Sequence, residues 1–124
     1  MPKILAMLVH LGKNMWETYR DKLEFDEEVW DKVIDKCVEY NFTHIVLDIG
    51  EGIRYVSHPE FAVEGAWEPE RVKQEVERLK EKGITLIPKL NFSAAHDLWL
   101  KEYGREKMST PEYYEVCKNL INEL

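Results

Sequence analysis

The sequence has little of what disulfide-rich, membrane-spanning or nucleic-acid-binding proteins need. Two cysteines among 124 residues give no disulfide framework. The longest apolar run, Ile4 to Val9, is far too short to cross a bilayer, and no signal-peptide cleavage pattern accompanies it. The formal net charge is −7, and basic residues alternate with acidic ones without forming a stripe. We therefore expect a cytoplasmic protein with no nucleic-acid partner and no membrane partner.

Motifs for nucleotide or metal binding are also missing. The six glycines nowhere form G-x-G-x-x-G, and the turn Gly50-Glu51-Gly52 is too short to be read as a phosphate cradle. The four histidines include no pair at i, i+4 spacing and no H-E-x-x-H motif. The sequence therefore predicts no cofactor and no metal site.

Three short apolar runs are present at a constant spacing. They begin at positions 4, 44 and 84, and they span Ile4–His10, His44–Ile49 and Ile84–Leu90. Their nearly continuous Ile, Leu and Val content is typical of strands in a parallel sheet, since both faces of such a sheet are usually covered.

The segments between and after these runs carry helix signals. Asp26 can cap the first helix, Pro69 suits the first turn of the second, and Gly83 fits the position just past its end. Ser109 or Thr110 can cap a third helix that opens at Pro111, and the order β-α-β-α-β-α requires a parallel sheet with right-handed crossovers.

The loops favour one architecture of this class. They are long after each strand and short before the next, as in a TIM-type (β/α)₈ barrel, whereas a doubly wound sheet would usually carry a glycine-rich first turn. A complete barrel needs about 250 residues. We therefore expect one partial barrel domain over residues 1–124, with about three of the eight units. It would be completed by a homo-oligomer or by a missing C-terminal half, and a small flavodoxin-like nucleotide-binding domain is a weaker alternative.

Polar side chains follow the strands, at the place where barrels carry their chemistry. His10, Asp48, Lys89 and Asn91 all stand there, and Lys89 and Asn91 share one side of the third strand. An acid at the end of an apolar strand needs a partner such as Lys89, Arg54 or a ligand, unless it is simply a solvated strand terminus.

Tryptophan rings in the loops after the strands could stack on sugars. Trp16, Trp67 and Trp99 lie in such loops, whereas Trp30 falls on a helical apolar stripe and is predicted to be core. Packing inside the protein is the alternative role for each loop tryptophan.

An ordered series of segments resembles glycoside hydrolase family 20, the β-N-acetylhexosaminidases. Leu47–Arg54 resembles the family's second strand, which ends in Asp and is followed by Arg, and His58–Phe61 resembles the corner after it. The segments Gly65–Glu70 and Lys82–Asn91 are similar to the start of the next helix and to the third strand, and His96 is similar to a histidine that follows that strand. Lys89 and Asn91 stand where the family has Glu and Asp.

This resemblance implies an N-terminal portion of a glycoside-hydrolase-like barrel with a carbohydrate substrate. The family's catalytic Asp-Glu pair ends a fourth strand, which the three predicted strands do not include, so this chain is expected to supply no catalytic residue and to be inactive alone. The alternative is a noncatalytic carbohydrate-binding or self-assembling α/β module. The predicted substrate-binding residues are His10, Asp48, Arg54, Trp67, Lys89, Asn91, His96 and Trp99.

Overall fold

The computed structural model describes residues 3–16, 18–92, 95–104 and 107–124. Strands and α-helices alternate along the chain in the predicted order. They are β1 (Ala6–His10), α1 (Glu27–Glu39), β2 (His44–Asp48), α2 (Pro69–Glu81), β3 (Thr85–Lys89) and α3 (Pro111–Glu123). Three short 3₁₀ turns lie in the loops after β2 and β3, at Gly50–Gly52, Pro59–Phe61 and Leu98–Tyr103.

The three strands form a parallel sheet in the order β1-β2-β3. His10, Asp48 and Lys89 are paired across the sheet at its carboxyl end, because β1 is in register with β2 and β2 with β3. The α/β class and the parallel pairing predicted from the apolar runs are confirmed.

The helix ends follow the local sequence signals. Asp26 Oδ1 accepts a hydrogen bond from the Val29 amide at 3.0 Å, and Thr110 Oγ1 accepts one from the Tyr113 amide at 3.3 Å. Gly83 has φ of +79° just past α2, a conformation that residues with a Cβ rarely adopt.

The helices pack against one face of the sheet. Side chains of α1 border Met7 and Val9, while side chains of α2 and α3 border Leu47 and Pro88, all on the same side by strand alternation. On the opposite face, Leu8 is 50% exposed and Ile87 is 40% exposed.

This arrangement corrects two expectations. The apolar strands led us to expect that both faces of the sheet are covered. In the part of the chain that the structure describes, helices cover one face only. The flavodoxin-like alternative is also wrong, since that fold places β1 between β2 and β3, whereas here β2 lies between β1 and β3.

Loops from two different strands meet at the carboxyl end of the sheet. The Leu98 amide donates to the Met15 carbonyl at 3.0 Å, and the Trp99 amide donates to the Asn14 carbonyl at 2.8 Å. The loop after β1 is thereby fixed to the loop after β3. Within the described ranges, every helix is too short or too polar to span a membrane.

Candidate functional site

The carboxylate of Asp48 is the centre of a polar cluster at the ends of the strands. Asp48 is only 1% exposed. Its Oδ2 accepts from Asn91 Nδ2 at 2.6 Å and from Lys89 Nζ at 3.0 Å, and His10 Nδ1 lies 3.3 Å away. Burial of a carboxylate is costly unless polar partners surround it, and the two strands that flank β2 supply those partners here.

The strand register explains why these side chains meet. Cross-strand partners in a parallel sheet point to the same face, so His10, Asp48 and Lys89 lie side by side. Asn91, two residues beyond Lys89, projects to the same side and accepts a hydrogen bond from Lys89 Nζ through Oδ1. Lys89 therefore bridges Asp48 and Asn91.

A second buried carboxylate shapes the loop after β1. Glu51 is 4% exposed, and its Oε1 accepts from the amides of Lys13 and Asn14. A Cβ on Gly12 would lie 2.7 Å from Glu51 Oε2, so a residue without a side chain is needed there. The Asn14 side chain holds a later part of the same loop, because it exchanges two hydrogen bonds of 2.8 Å with the backbone of Arg20.

Two tyrosines near Glu51 keep their hydroxyl protons. Burial raises the pKa of Tyr55 well above its ordinary value, and the negative charges of Glu51 and Asp48 raise it further. The Tyr55 hydroxyl donates to the Gly50 carbonyl at 2.7 Å and so supports the turn after β2. Burial also raises the pKa of Tyr19, with a smaller contribution from Glu51.

These loops and strand ends enclose an open groove of about 700 Å³ on the uncovered face of the sheet. Trp16 stands in it with 64% of its surface exposed, and its ring meets His96 edge-on at a centroid distance of 5.0 Å. The groove is lined by Leu8, His10, Gly12, Lys13, Met15, Trp16, Arg20, Asp48, Lys89, Asn91 and His96.

The structure brings five of the eight predicted site residues to this groove: His10, Asp48, Lys89, Asn91 and His96. Arg54 is not among them, which corrects the expectation that it would converge with Asp48. Its Nε donates to Glu68 Oε1 at 3.0 Å, and it borders α2 on the helical side of the sheet.

Trp67 and Trp99 are also outside the groove. They are 4% and 1% exposed, so neither offers a ring face to a sugar in this structure. The Trp67 ring packs against Trp30 and under Arg71, whose guanidinium carbon is 4.4 Å from the ring centroid. Trp99 lies in the core and donates from Nε1 to the Asn91 carbonyl at 3.0 Å, which fixes the backbone of a groove residue. Trp30 is buried as predicted.

Several residues at this site are not among the predicted site residues. Trp16 is a loop aromatic in the sequence but is not in the predicted set, and neither are Lys13, Arg20 and Glu51. The sequence feature that could have identified them is their position in loops that follow predicted strands. Which of them faces the groove depended on loop folding.

The groove offers nitrogen donors and one exposed aromatic face, an arrangement suited to holding an oxygen-rich molecule. Within the described parts of the chain, no group of three or more His, Cys, Asp or Glu side chains is placed to hold a metal ion.

No protein-family model matches this chain, and no curated protein matches it significantly.

Proposed function

We propose that this chain is the sugar-positioning part of a (β/α)₈ barrel related to glycoside hydrolases, and that it binds carbohydrate in the groove at the carboxyl ends of β1, β2 and β3. The observation that carries the proposal is the cluster around Asp48. Side chains from three neighbouring strands meet on one buried carboxylate beside an exposed tryptophan ring. Sugars are commonly held by polar side chains next to an aromatic platform.

The barrel part of the proposal is supported by the sheet. Consecutive parallel strands, helices on one face and long loops at the carboxyl ends are the pattern of adjacent barrel units. The face without helices, which carries Leu8, Val46 and Ile87, would then point into the barrel interior. That interior is normally filled by layers of apolar side chains.

The proposal assigns no catalytic role to the two acids at the strand ends. Glycoside cleavage needs a carboxylic acid beside the leaving oxygen and a second group across the ring. Asp48 accepts from Lys89 and Asn91, and Glu51 accepts from backbone amides beneath the loop after β1. Both carboxylates are engaged by the protein, so the general acid of a complete enzyme would come from elsewhere.

The second candidate function is a noncatalytic carbohydrate-binding module that assembles with further copies of itself. Its supporting observation is the pair of sheet edges: within the described residues, β1 and β3 each pair with β2 alone. Open edges on strands that carry exposed apolar residues, such as Met7 on β1 and Ile87 on β3, favour association. Sedimentation at micromolar concentration separates a monomer from an assembly. A cytoplasmic location remains a prediction.

Tryptophan fluorescence tests the carbohydrate proposal, because Trp16 is the exposed one among four tryptophans. The chain is titrated with a panel of neutral and acidic oligosaccharides. We expect at least one of them to bind the wild-type chain and shift its tryptophan emission. Calorimetry with the same ligands should show binding weakened about tenfold or more in Trp16→Ala and in Asp48→Asn, since stacking and a buried hydrogen-bonded cluster each contribute on this scale.

Asp35→Asn is the matched control, because Asp35 is exposed on α1 and lies outside the groove. Binding by this variant should equal that of the wild type. The proposed function would be contradicted if no oligosaccharide of the panel binds at millimolar concentration. It would also be contradicted if binding is unchanged in both Trp16→Ala and Asp48→Asn.

A further inference from the structure

Five of the eleven residues that line the groove carry basic side chains that can donate hydrogen bonds. Lys13, Arg20, Lys89, His10 and His96 all line it. The side chains of Lys13 and His10 are each 47% exposed, and that of Lys89 is 38% exposed. These groups gather in one groove of a chain whose formal net charge is −7.

Acceptor groups in the same groove are largely withdrawn from a ligand. The Asp48 side chain is 2% exposed, with two donors at its Oδ2 and His10 Nδ1 3.3 Å from the same atom, and Asn91 Oδ1 is occupied by Lys89 Nζ. Neutral sugar hydroxyls are usually matched by both donors and acceptors. This groove presents mainly donors.

Lys89 and His10 lie beside the buried Asp48 carboxylate, and Lys13 and Arg20 have a different acidic neighbour. Glu24 lies 3.3 Å from Arg20 Nε and 3.7 Å from Lys13 Nζ, but it is not among the groove-lining residues and its side chain is 52% exposed. An ion pair as exposed as the one between Lys13 and Glu24 contributes little free energy, so the Lys13 ammonium can turn toward a ligand at small cost.

From this donor-rich lining we infer that the groove selects a carbohydrate that carries a carboxylate, such as a uronic acid residue, over its uncharged counterpart. The inference rests on the proposed function, since it presumes that the ligand is a sugar. Lys89 and Lys13 would donate to the sugar carboxylate, while Trp16 contacts the ring. Charge-assisted hydrogen bonds are roughly twice as strong as those between neutral groups.

Two probes that differ at their carboxyl groups, one charged and the other methylated and neutral, test the inference. Trigalacturonic acid and its fully methyl-esterified form share their ring hydroxyls, and calorimetry at low salt measures both against the full chain. We expect the acid to bind about tenfold or more tightly than the ester, and we expect this preference to fall several-fold in Lys13→Gln and Lys89→Gln. Lys32→Gln, an exposed change on α1, is the control and should keep the full preference.

The possible failures are distinguishable. Equal affinity for the acid and the ester would overturn the inference while sugar binding stands. Binding of inorganic phosphate as tightly as the acid would overturn it too, because the groove would then recognise an anion without a sugar. If neither trisaccharide nor any neutral oligosaccharide binds, the proposed function fails first.

Discussion

The ammonium of Lys89 lies 3.0 Å from Asp48 Oδ2, across two adjacent strands that are in register at this pair. The acid is buried, whereas the lysine side chain is 38% exposed toward the groove. The pair thus connects a buried carboxylate to an ammonium group that faces the candidate binding groove.

Asp48→Ala should destabilise the fold. The substitution leaves the Asn91 amide and the Lys89 ammonium without their acceptor in a partly buried place, and we expect a loss of about 1–3 kcal/mol in the free energy of unfolding. Urea titration followed by circular dichroism measures it. Asp35→Ala, exposed on α1, should change the value by less than about 0.5 kcal/mol. Equal effects of the two substitutions would show that the cluster adds no stability.

Gly12→Ala should weaken both stability and ligand binding. The added methyl would lie 2.8 Å from the Ile49 carbonyl oxygen and 2.7 Å from Glu51 Oε2, which displaces the loop that carries Lys13 and Trp16. We expect about 1–3 kcal/mol of destabilisation from such overpacking.

Gly83→Ala is the comparison for Gly12→Ala. Its φ of +79° disfavours alanine, but a Cβ there meets no atom within 4 Å, and Gly83 precedes β3, at the end of the strand opposite the groove loops. A cost of roughly 1–2 kcal/mol without any change in ligand affinity is expected. Ligand affinity that falls equally in both variants would contradict the role of Gly12.

Glu75→Gln tests the contact between α1 and α2. The Glu75 side chain is 6% exposed, accepts from Arg71 and Arg78, and lies 3.3 Å from Trp30 Nε1. Loss of its charge should lower the free energy of unfolding by about 2 kcal/mol, the scale of hydrogen bonds to charged groups. Thermal and urea unfolding measure it. Glu77→Gln, exposed on the same helix, should leave stability unchanged within error.

Glu123 should make stability depend on pH in the acid range. Burial alone would raise the pKa of Glu123, but hydrogen bonds from the Ser57 hydroxyl and from the Ser57 and Val56 amides lower it below its ordinary value of 4.5. The folded state therefore binds this proton less readily than the unfolded state. The resulting stabilisation is complete above the unfolded pKa and is lost as pH falls through the folded one.

Glu123→Gln should flatten the fall in stability below about pH 4.5, whereas Glu115→Gln, exposed on the same helix, should not. Urea midpoints between pH 3 and pH 7 provide the measurement. An unchanged acid limb in Glu123→Gln would show that the contact with Ser57 does not form in solution.

The 124-residue chain should show no turnover of aryl β-N-acetylhexosaminides above a buffer blank. Its two strand-end carboxylates, Asp48 and Glu51, are occupied by donors of the protein, and both lie at the end of one strand, so they are poorly placed to flank a scissile bond. Release of the aryl group, followed by absorbance, is the assay. Turnover that disappears in Asp48→Asn would show that the chain carries its own catalytic machinery.

The local order of this protein was readable from its sequence. Asp26 marks a helix start by accepting from a backbone amide, Pro69 and Pro111 suit first helical turns because they lack an N–H, and Gly83 ends a helix with a positive φ; the structure has the helix ends there. The apolar runs predicted the strands within about two residues. Strand alternation also predicted that Lys89 and Asn91 share a side.

Only the tertiary structure decided which loop residues reach the groove. Trp16, Trp67 and Trp99 all follow strands, yet the first is exposed while the other two are buried. The difference arises because Phe25, Trp30 and Arg71 cover Trp67, and Tyr55 and Phe61 cover Trp99. Periodicity and capping act over a few residues, whereas the exposure of a ring depends on contacts between segments far apart in the chain, which no local pattern encodes.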